Sequence, residues 1–223
     1  MIDPGLADRL ARVRERIHSA AARCGRDPGG ILLLAVTKVF PAQAILDGYE
    51  LGLRDFGENY VQEFAEKASS VADLAGTRYH LIGHLQSNKC ARAVELFQVI
   101  QTVDSAKLAA RLDAFGKPVE VMLEVKLAPE GSKTGADPAD LPALADAVRA
   151  CSHLRLTGLM TVPPWSEDAE HSRPYFARLR ELAEKTGLSE LSMGMSNDLE
   201  VAIEEGATCV RVGTALFGKR KKP

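Results

Sequence analysis

The residues with the most chemical content stand directly after short apolar runs. Lys38 follows the run 31–36, and its amine becomes a nucleophile if its surroundings lower its pKa. Arg211 lies in the last apolar run, 209–212, and Gly213 and Thr214 follow it at once. Those two residues open a helix, where unpaired N–H groups and a small hydroxyl side chain accept a phosphate. Ser196 occupies the same place after the preceding run, and Asn59 follows Gly57 and Glu58 beyond the second. Lysine and arginine side by side are costly without an anion. The neighbouring charge, together with desolvation, moves the lysine toward its free-amine form. An anionic ligand is implied.

Such a group of residues needs a fold that gathers strand ends. The first segment places Leu6, Leu10, Val13, Ile17 and Cys24 at helical spacing, which predicts an amphipathic leading helix. From residue 31 onward the pattern alternates. Strands are expected at 31–36, 53–56, 79–82, 99–103, 119–125, 154–160, 191–193 and 209–212, with helical stretches between them. Strands alternating with helices build right-handed βαβ units around a parallel sheet. Eight units in 223 residues fit a single (β/α)8 TIM barrel with an extra N-terminal helix, one domain over 1–223. A doubly wound sheet competes, but its Gly-rich first turn is missing, because Thr37-Lys38-Val39-Phe40 holds no glycine.

Closure of a barrel sets strand eight beside strand one and brings Lys38 and Arg211 to adjacent strand ends. In this fold the loops after strands seven and eight commonly bind phosphate, and the active site lies at the C-terminal ends of the strands. An imine-forming lysine, an arginine and a phosphate cradle at one mouth describe pyridoxal 5′-phosphate. Taken singly, each feature has an ordinary explanation. Lys38 alone reads as a surface lysine. Asn197 and Glu200 have the spacing of a helix capping box, His80 reads as a hydrogen-bonded core histidine, and residues 84–88 read as a helix start. The stretch 130–135 lacks the G-x-x-x-x-G-K-[ST] order and reads as an ordinary loop.

Composition excludes several classes. With 28 basic and 30 acidic side chains and 46% hydrophobic residues, the chain is an ordinary globular domain with no electrostatic footprint for nucleic acid. The basic run 219–222 reads as a solvated tail. The longest apolar run, six residues, is far short of the ~20 needed to span a bilayer. Acidic residues among the N-terminal arginines argue against a leader peptide, so a cytoplasmic location is expected. Cys24, Cys90, Cys151 and Cys209 are scattered without a C-x-x-C pair, which suggests neither a metal site nor a disulfide framework.

Several blocks together resemble the YggS/PROSC family of pyridoxal-phosphate homeostasis proteins, whose fold is similar to the N-terminal barrel of bacterial alanine racemase. They are Leu34-Ala35-Val36-Thr37-Lys38, Phe56-Gly57-Glu58-Asn59-Tyr60-Val61-Gln62-Glu63, His80 to Lys89, Gly158-Leu159-Met160, Leu191 to Asp198, and Val210 to Gly218. They run in order over essentially the whole chain. The resemblance implies that Lys38 holds the cofactor as a Schiff base and that Asn59 lies near it. Ser196, Gly213 and Thr214 would hold the phosphate, and Arg211 would face the pyridine nitrogen. Two departures concern the rim: Tyr79 stands where the family usually has tryptophan, and 127–133 only partly follows the usual loop.

An arginine opposite the pyridine nitrogen disfavours ring protonation and makes a poorer electron sink. The racemase pairs its lysine with a tyrosine from a second domain across a dimer, and this chain leaves no room for that domain. The expectation is therefore a monomeric, non-catalytic pyridoxal-phosphate carrier or buffer, with apoenzymes that use the cofactor as recipients and no nucleic-acid, membrane or metal partner. A weak amino-acid racemase and a Schiff-base aldolase acting on a phosphorylated substrate are the alternatives.

Overall fold

The computed structural model describes residues 3–128 and 134–218. The basic run 219–222 and most of the loop 130–135 lie outside those residues.

The chain opens with α1 (Leu6–Arg23), which buries Leu6, Leu10, Val13, Ile17, Ala20 and Ala21 along one face. Then follow β1 (Leu32–Val36), α2 (Ala42–Glu50), β2 (Asp55–Glu58), α3 (Val61–Ala68), β3 (Arg78–Leu81), α4 (Cys90–Leu96) and β4 (Val99–Val103). The second half holds α5 (Ala106–Asp113), β5 (Val119–Glu124), α6 (Leu141–Arg149), β6 (Leu154–Met160), α7 (Arg173–Thr186), β7 (Glu190–Met195), α8 (Leu199–Glu204), β8 (Cys209–Val212) and α9 (Thr214–Phe217). The strands form a closed barrel in sequence order, each parallel to the next. β8 closes on β1 with Leu34 opposite Arg211 and Ala35 opposite Val212. The expected (β/α)8 architecture and its leading helix are both present, and α1 packs across α8 and α9.

Two strands run beyond their expected ends. β2 takes in Gly57 and Glu58, which pair with Val36 and with His80 and Leu81, and the side chains of Leu34 and Ile82 fill the space beside Gly57, only 3.2 Å from where a Cβ would stand. Gly57 is the gap into which these neighbouring interior side chains pack. β7 extends through Gly194 to Met195, and Gly194 has a left-handed φ of 89° at a point where a Cβ would lie 2.5 Å from that of Ala202.

The capping box at Asn197 and Glu200 does not form. Glu200 is taken by the guanidinium of Arg16 at 2.6 and 2.8 Å, and Asn197 donates to the Ser166 carbonyl at 3.0 Å. Asp198 begins α8 without a capping bond of its own and instead accepts from the Met195 N–H at 2.7 Å and the Ser172 hydroxyl at 2.8 Å.

The barrel interior is unusually polar for a packed core. His80, Gln101, Ser192 and Arg211 are all buried within it. Buried polar groups persist only when hydrogen-bonded, so the interior must contain networks, and those networks meet the C-terminal mouth.

Candidate functional site

Lys38 sits in a tight turn closed by the Phe40 N–H on the Thr37 carbonyl at 3.1 Å, with Val39 at φ 61°. The left-handed region costs a β-branched residue roughly 1–2 kcal/mol, so neighbouring groups must hold the turn. The Val39 N–H donates to Glu63 Oε1 at 2.6 Å, and that oxygen also accepts from Lys67 Nζ at 2.6 Å. Lys67 Nζ further donates to Glu58 at 3.0 and 3.2 Å and to the Thr37 carbonyl at 3.1 Å, while the Thr37 hydroxyl donates to Glu58 at 2.7 Å. Residues on both sides of Lys38 are thus fixed by one ionic cluster. Burial pushes the Glu58 carboxyl up, against the opposing pull of the Lys67 ammonium and the Thr37 hydroxyl.

Arg211 reaches the mouth from the interior. Its guanidinium donates to Ser192 Oγ and to the Thr161 carbonyl, each at 2.8 Å, and it makes no ion pair among the described residues. Burial pushes its pKa down, with the nearby anionic groups opposing. A buried guanidinium with N–H groups to spare is suited to an acceptor in the cavity it lines.

Ser196 and Thr214 meet where the loop after β7 approaches the start of α9, and the Ala215 N–H donates to Ser196 Oγ at 3.2 Å. Arg16 of α1 holds the Ser196 carbonyl at 3.0 Å while gripping Glu200, so the leading helix braces this loop. Gly213 lies against β1, where a Cβ would stand 3.3 Å from the Val36 carbonyl oxygen. Asn59 is fixed from the side by Gly83, where a Cβ would fall 2.2 Å from the Asn59 carbonyl oxygen. The buried Asn59 Oδ1 has no partner.

One cavity of about 650 Å³ joins these pieces, and Lys38, Asn59, Ser196, Arg211, Gly213 and Thr214 all line it. Val36, Ile82, Met195 and Trp165 supply apolar wall. An amine, a cation, two hydroxyls, a helix start and an orphaned acceptor around an apolar slot fit a flat ring that bears a phosphate, a carbonyl and a hydroxyl. Asn59 Oδ1 is the specific test, because an unsatisfied buried acceptor calls for a donor on the ligand.

Sequence reasoning passed over the Glu58, Glu63 and Lys67 cluster, although the i,i+4 spacing of Glu63 and Lys67 was visible. It also passed over Glu124, a carboxyl closing an apolar strand. Glu124 Oε1 accepts the Thr134 hydroxyl at 3.0 Å, Oε2 is buried without a partner, and burial pushes the carboxyl pKa up. The folded state therefore binds this proton more tightly than the unfolded chain, where the value is ~4.3. The stability it contributes is present below that pH and is lost as pH rises through the folded value. Glu124→Gln, which stays neutral, is expected to gain in Tm relative to the parent as pH rises from about 4 to 8. Thermal melts across that range check it, and a Tm difference that does not change with pH would contradict it.

The profile described as alanine racemase, N-terminal domain, matches residues 9–221. The chain is 49% identical over 221 residues to the pyridoxal phosphate homeostasis protein of Pseudomonas aeruginosa, covering 96% of each. It is 41% identical over 228 residues to the protein of the same name from Escherichia coli K12, covering 96% of this chain and 97% of the relative. The solved structure of PipY from Synechococcus elongatus PCC7942 with PLP bound matches with a TM-score of 0.83 at 41% identity, covering 96% of this chain and 100% of PipY.

Proposed function

The chain belongs to the alanine racemase N-terminal domain family, and from that premise we propose that it binds pyridoxal 5′-phosphate reversibly and serves its homeostasis as a carrier or buffer. The observation that carries this reading is the single cavity lined by all six residues. The PLP-bound PipY structure and the names of the relatives support it.

When bound, the cofactor supplies an aldehyde that condenses with a primary amine, losing water, in a linkage that a second amine can exchange. Lys38 provides the amine, presented by a turn that the Glu58, Glu63 and Lys67 cluster locks. Ser196 and Thr214 offer hydroxyls, and Gly213 a close backbone approach, to the phosphate. Arg211, whose guanidinium lines the cavity, would sit against the ring nitrogen and oppose its protonation.

That last feature favours holding over catalysis, and so does the engagement of the acidic group that lines the cavity among the described residues. Among the described residues lining the cavity, the one carboxylate is Asp198, and both of its oxygens are engaged. Release to recipients suits the mouth, where Val39, Tyr60, Val162 and Trp165 are large apolar side chains left exposed. Such a patch suits transient contact with apoenzymes that take up the cofactor. No helix among the described residues is long and apolar enough to cross a membrane. The reading takes the cytoplasm as the compartment and a monomer as the working form.

Adding pyridoxal phosphate to the purified protein is expected to raise a visible absorption band. A PLP-requiring apoenzyme mixed with the loaded protein should regain activity as that band falls. Amino acids incubated with the loaded protein in deuterium oxide should keep their α-protons. Rapid α-deuteration abolished by Lys38→Ala would replace the carrier with a racemase, and absence of the band would remove both.

A further inference from the structure

The buried guanidinium of Arg211 is the first member of a chain of polar side chains that crosses the barrel. Arg211 donates to Ser192 Oγ at 2.8 Å, and Ser192 Oγ donates to Gln101 Oε1 at 2.6 Å. Gln101 Nε2 lies 3.1 Å from His80 Nδ1, and His80 Nε2 lies 2.9 Å from Asp55 Oδ1. Arg211, Ser192, Gln101 and His80 are each at most 4% exposed, and Asp55 at the far end is half-buried. Asp55 opens β2 at the N-terminal end of the barrel. His80 and Gln101 border a second cavity, of about 600 Å³, that crosses the same end.

Arginine can only donate, so Ser192 accepts from it. Gln101 presents Oε1, which can only accept, to the Ser192 hydroxyl, and that hydroxyl therefore sends its proton to Gln101. The Gln101 amide then points its N–H at His80 Nδ1, which must be unprotonated, and the remaining ring proton sits on Nε2, facing Asp55. Four hydrogen bonds run in one direction from a cation to a carboxylate.

The charged and titratable surroundings leave this order intact. Burial pushes the adjacent Cys209 thiol up to about 11, so it stays neutral. Asp198 and Glu124 lie near enough to influence Arg211, but neither bonds it. Asp198 is committed to Ser172 and Met195, and Glu124 to Thr134. Arg78 and Glu120 at the far cavity pair with each other.

We propose that Asp55, His80 and Gln101 are positioning residues for Arg211: through Ser192 they form a relay that fixes the guanidinium's orientation toward the cofactor ring from the opposite end of the barrel. The inference rests on the reading that Arg211 faces that ring, and it makes Asp55 a distant determinant of cofactor binding. Chains of polarised hydrogen bonds in a low-dielectric interior reinforce one another, so cutting the relay at any link loosens the same group, which then keeps only its bond to the Thr161 carbonyl at full strength.

Two measurements test it, one without cofactor. In the cofactor-free protein, nitrogen-15 NMR of His80 is expected to give the neutral tautomer protonated at Nε2, and Asp55→Asn should speed hydrogen exchange at the Arg211 guanidinium. In the loaded protein, Asp55→Asn, His80→Gln and Ser192→Ala should each raise the Kd for pyridoxal phosphate about tenfold. Each should also move the pH midpoint of the visible band in the same direction. Leu144→Ala, a cavity in α6 away from the relay, should lower Tm and leave both readings in place. His80 protonated at Nδ1, or Arg211 exchange indifferent to Asp55→Asn, would overturn the relay whether or not the cofactor binds. If wild-type protein gives the expected NMR result but binds no pyridoxal phosphate, the relay stands and the carrier reading falls.

Discussion

Lys38→Ala is expected to abolish the visible band and the borohydride-fixed label of the loaded protein, and to weaken binding of pyridoxal phosphate on the order of 100-fold, about 2.7 kcal/mol. The loss is not total, because Arg211, Ser196, Gly213, Thr214 and Asn59 still line the cavity. Lys38 lies at the mouth and is not part of the buried core, so the variant should melt close to the parent. Binding by calorimetry and a spectrum of the same sample check both statements. A Lys38→Ala protein that keeps the band would show that another amine holds the cofactor.

Lys67→Met should cost stability as well as binding. It removes the cation facing Glu58, whose side chain is fully buried, while the Lys67 side chain itself is only 9% exposed. Breaking a buried pair by removing one partner costs about 3–5 kcal/mol, a fall in Tm on the order of 10 °C for a chain of this size. Without the ammonium's pull, the Glu58 pKa climbs further. The variant can relieve part of the cost by protonating Glu58 at low pH, so its deficit should be larger at pH 8 than at pH 5.5. Glu58→Gln combined with Lys67→Met leaves no buried charge and should recover much of the stability. It should not recover the affinity, because the Thr37 carbonyl and Glu63 no longer share a donor that fixes the Lys38 turn. Denaturant melts and binding measured on the single and double variants check this. A double variant as unstable as Lys67→Met alone would assign the cost to lost packing.

Much of this architecture was legible in the sequence. The apolar runs announced the barrel because parallel strands covered on both faces are continuously hydrophobic, and strand order followed from the connection rules. Lys38, Asn59, Ser196, Arg211, Gly213 and Thr214 could be singled out because the fold reserves its C-terminal strand ends for chemistry. Strand ends were set too early at Phe56 and Met193, before glycines that mark close packing. The capping box at Asn197 failed because Arg16, on a helix distant in sequence, competes for Glu200. His80 was read as a hydrogen-bonded core residue, and it is one. Its partners Asp55 and Gln101 come from other strands and share no local pattern with it. Networks of that kind are set by barrel closure, which sequence spacing does not encode.

The central claim is that the amine of Lys38, the guanidinium of Arg211 and the hydroxyls of Ser196 and Thr214 hold one ligand in one cavity. A crystal structure of the protein grown with pyridoxal phosphate tests it most directly. The account predicts density continuous with Lys38 Nζ, the phosphate on Ser196 and Thr214, and the ring nitrogen facing Arg211. A cofactor bound elsewhere, or seated in the cavity with its phosphate away from the start of α9, would contradict it.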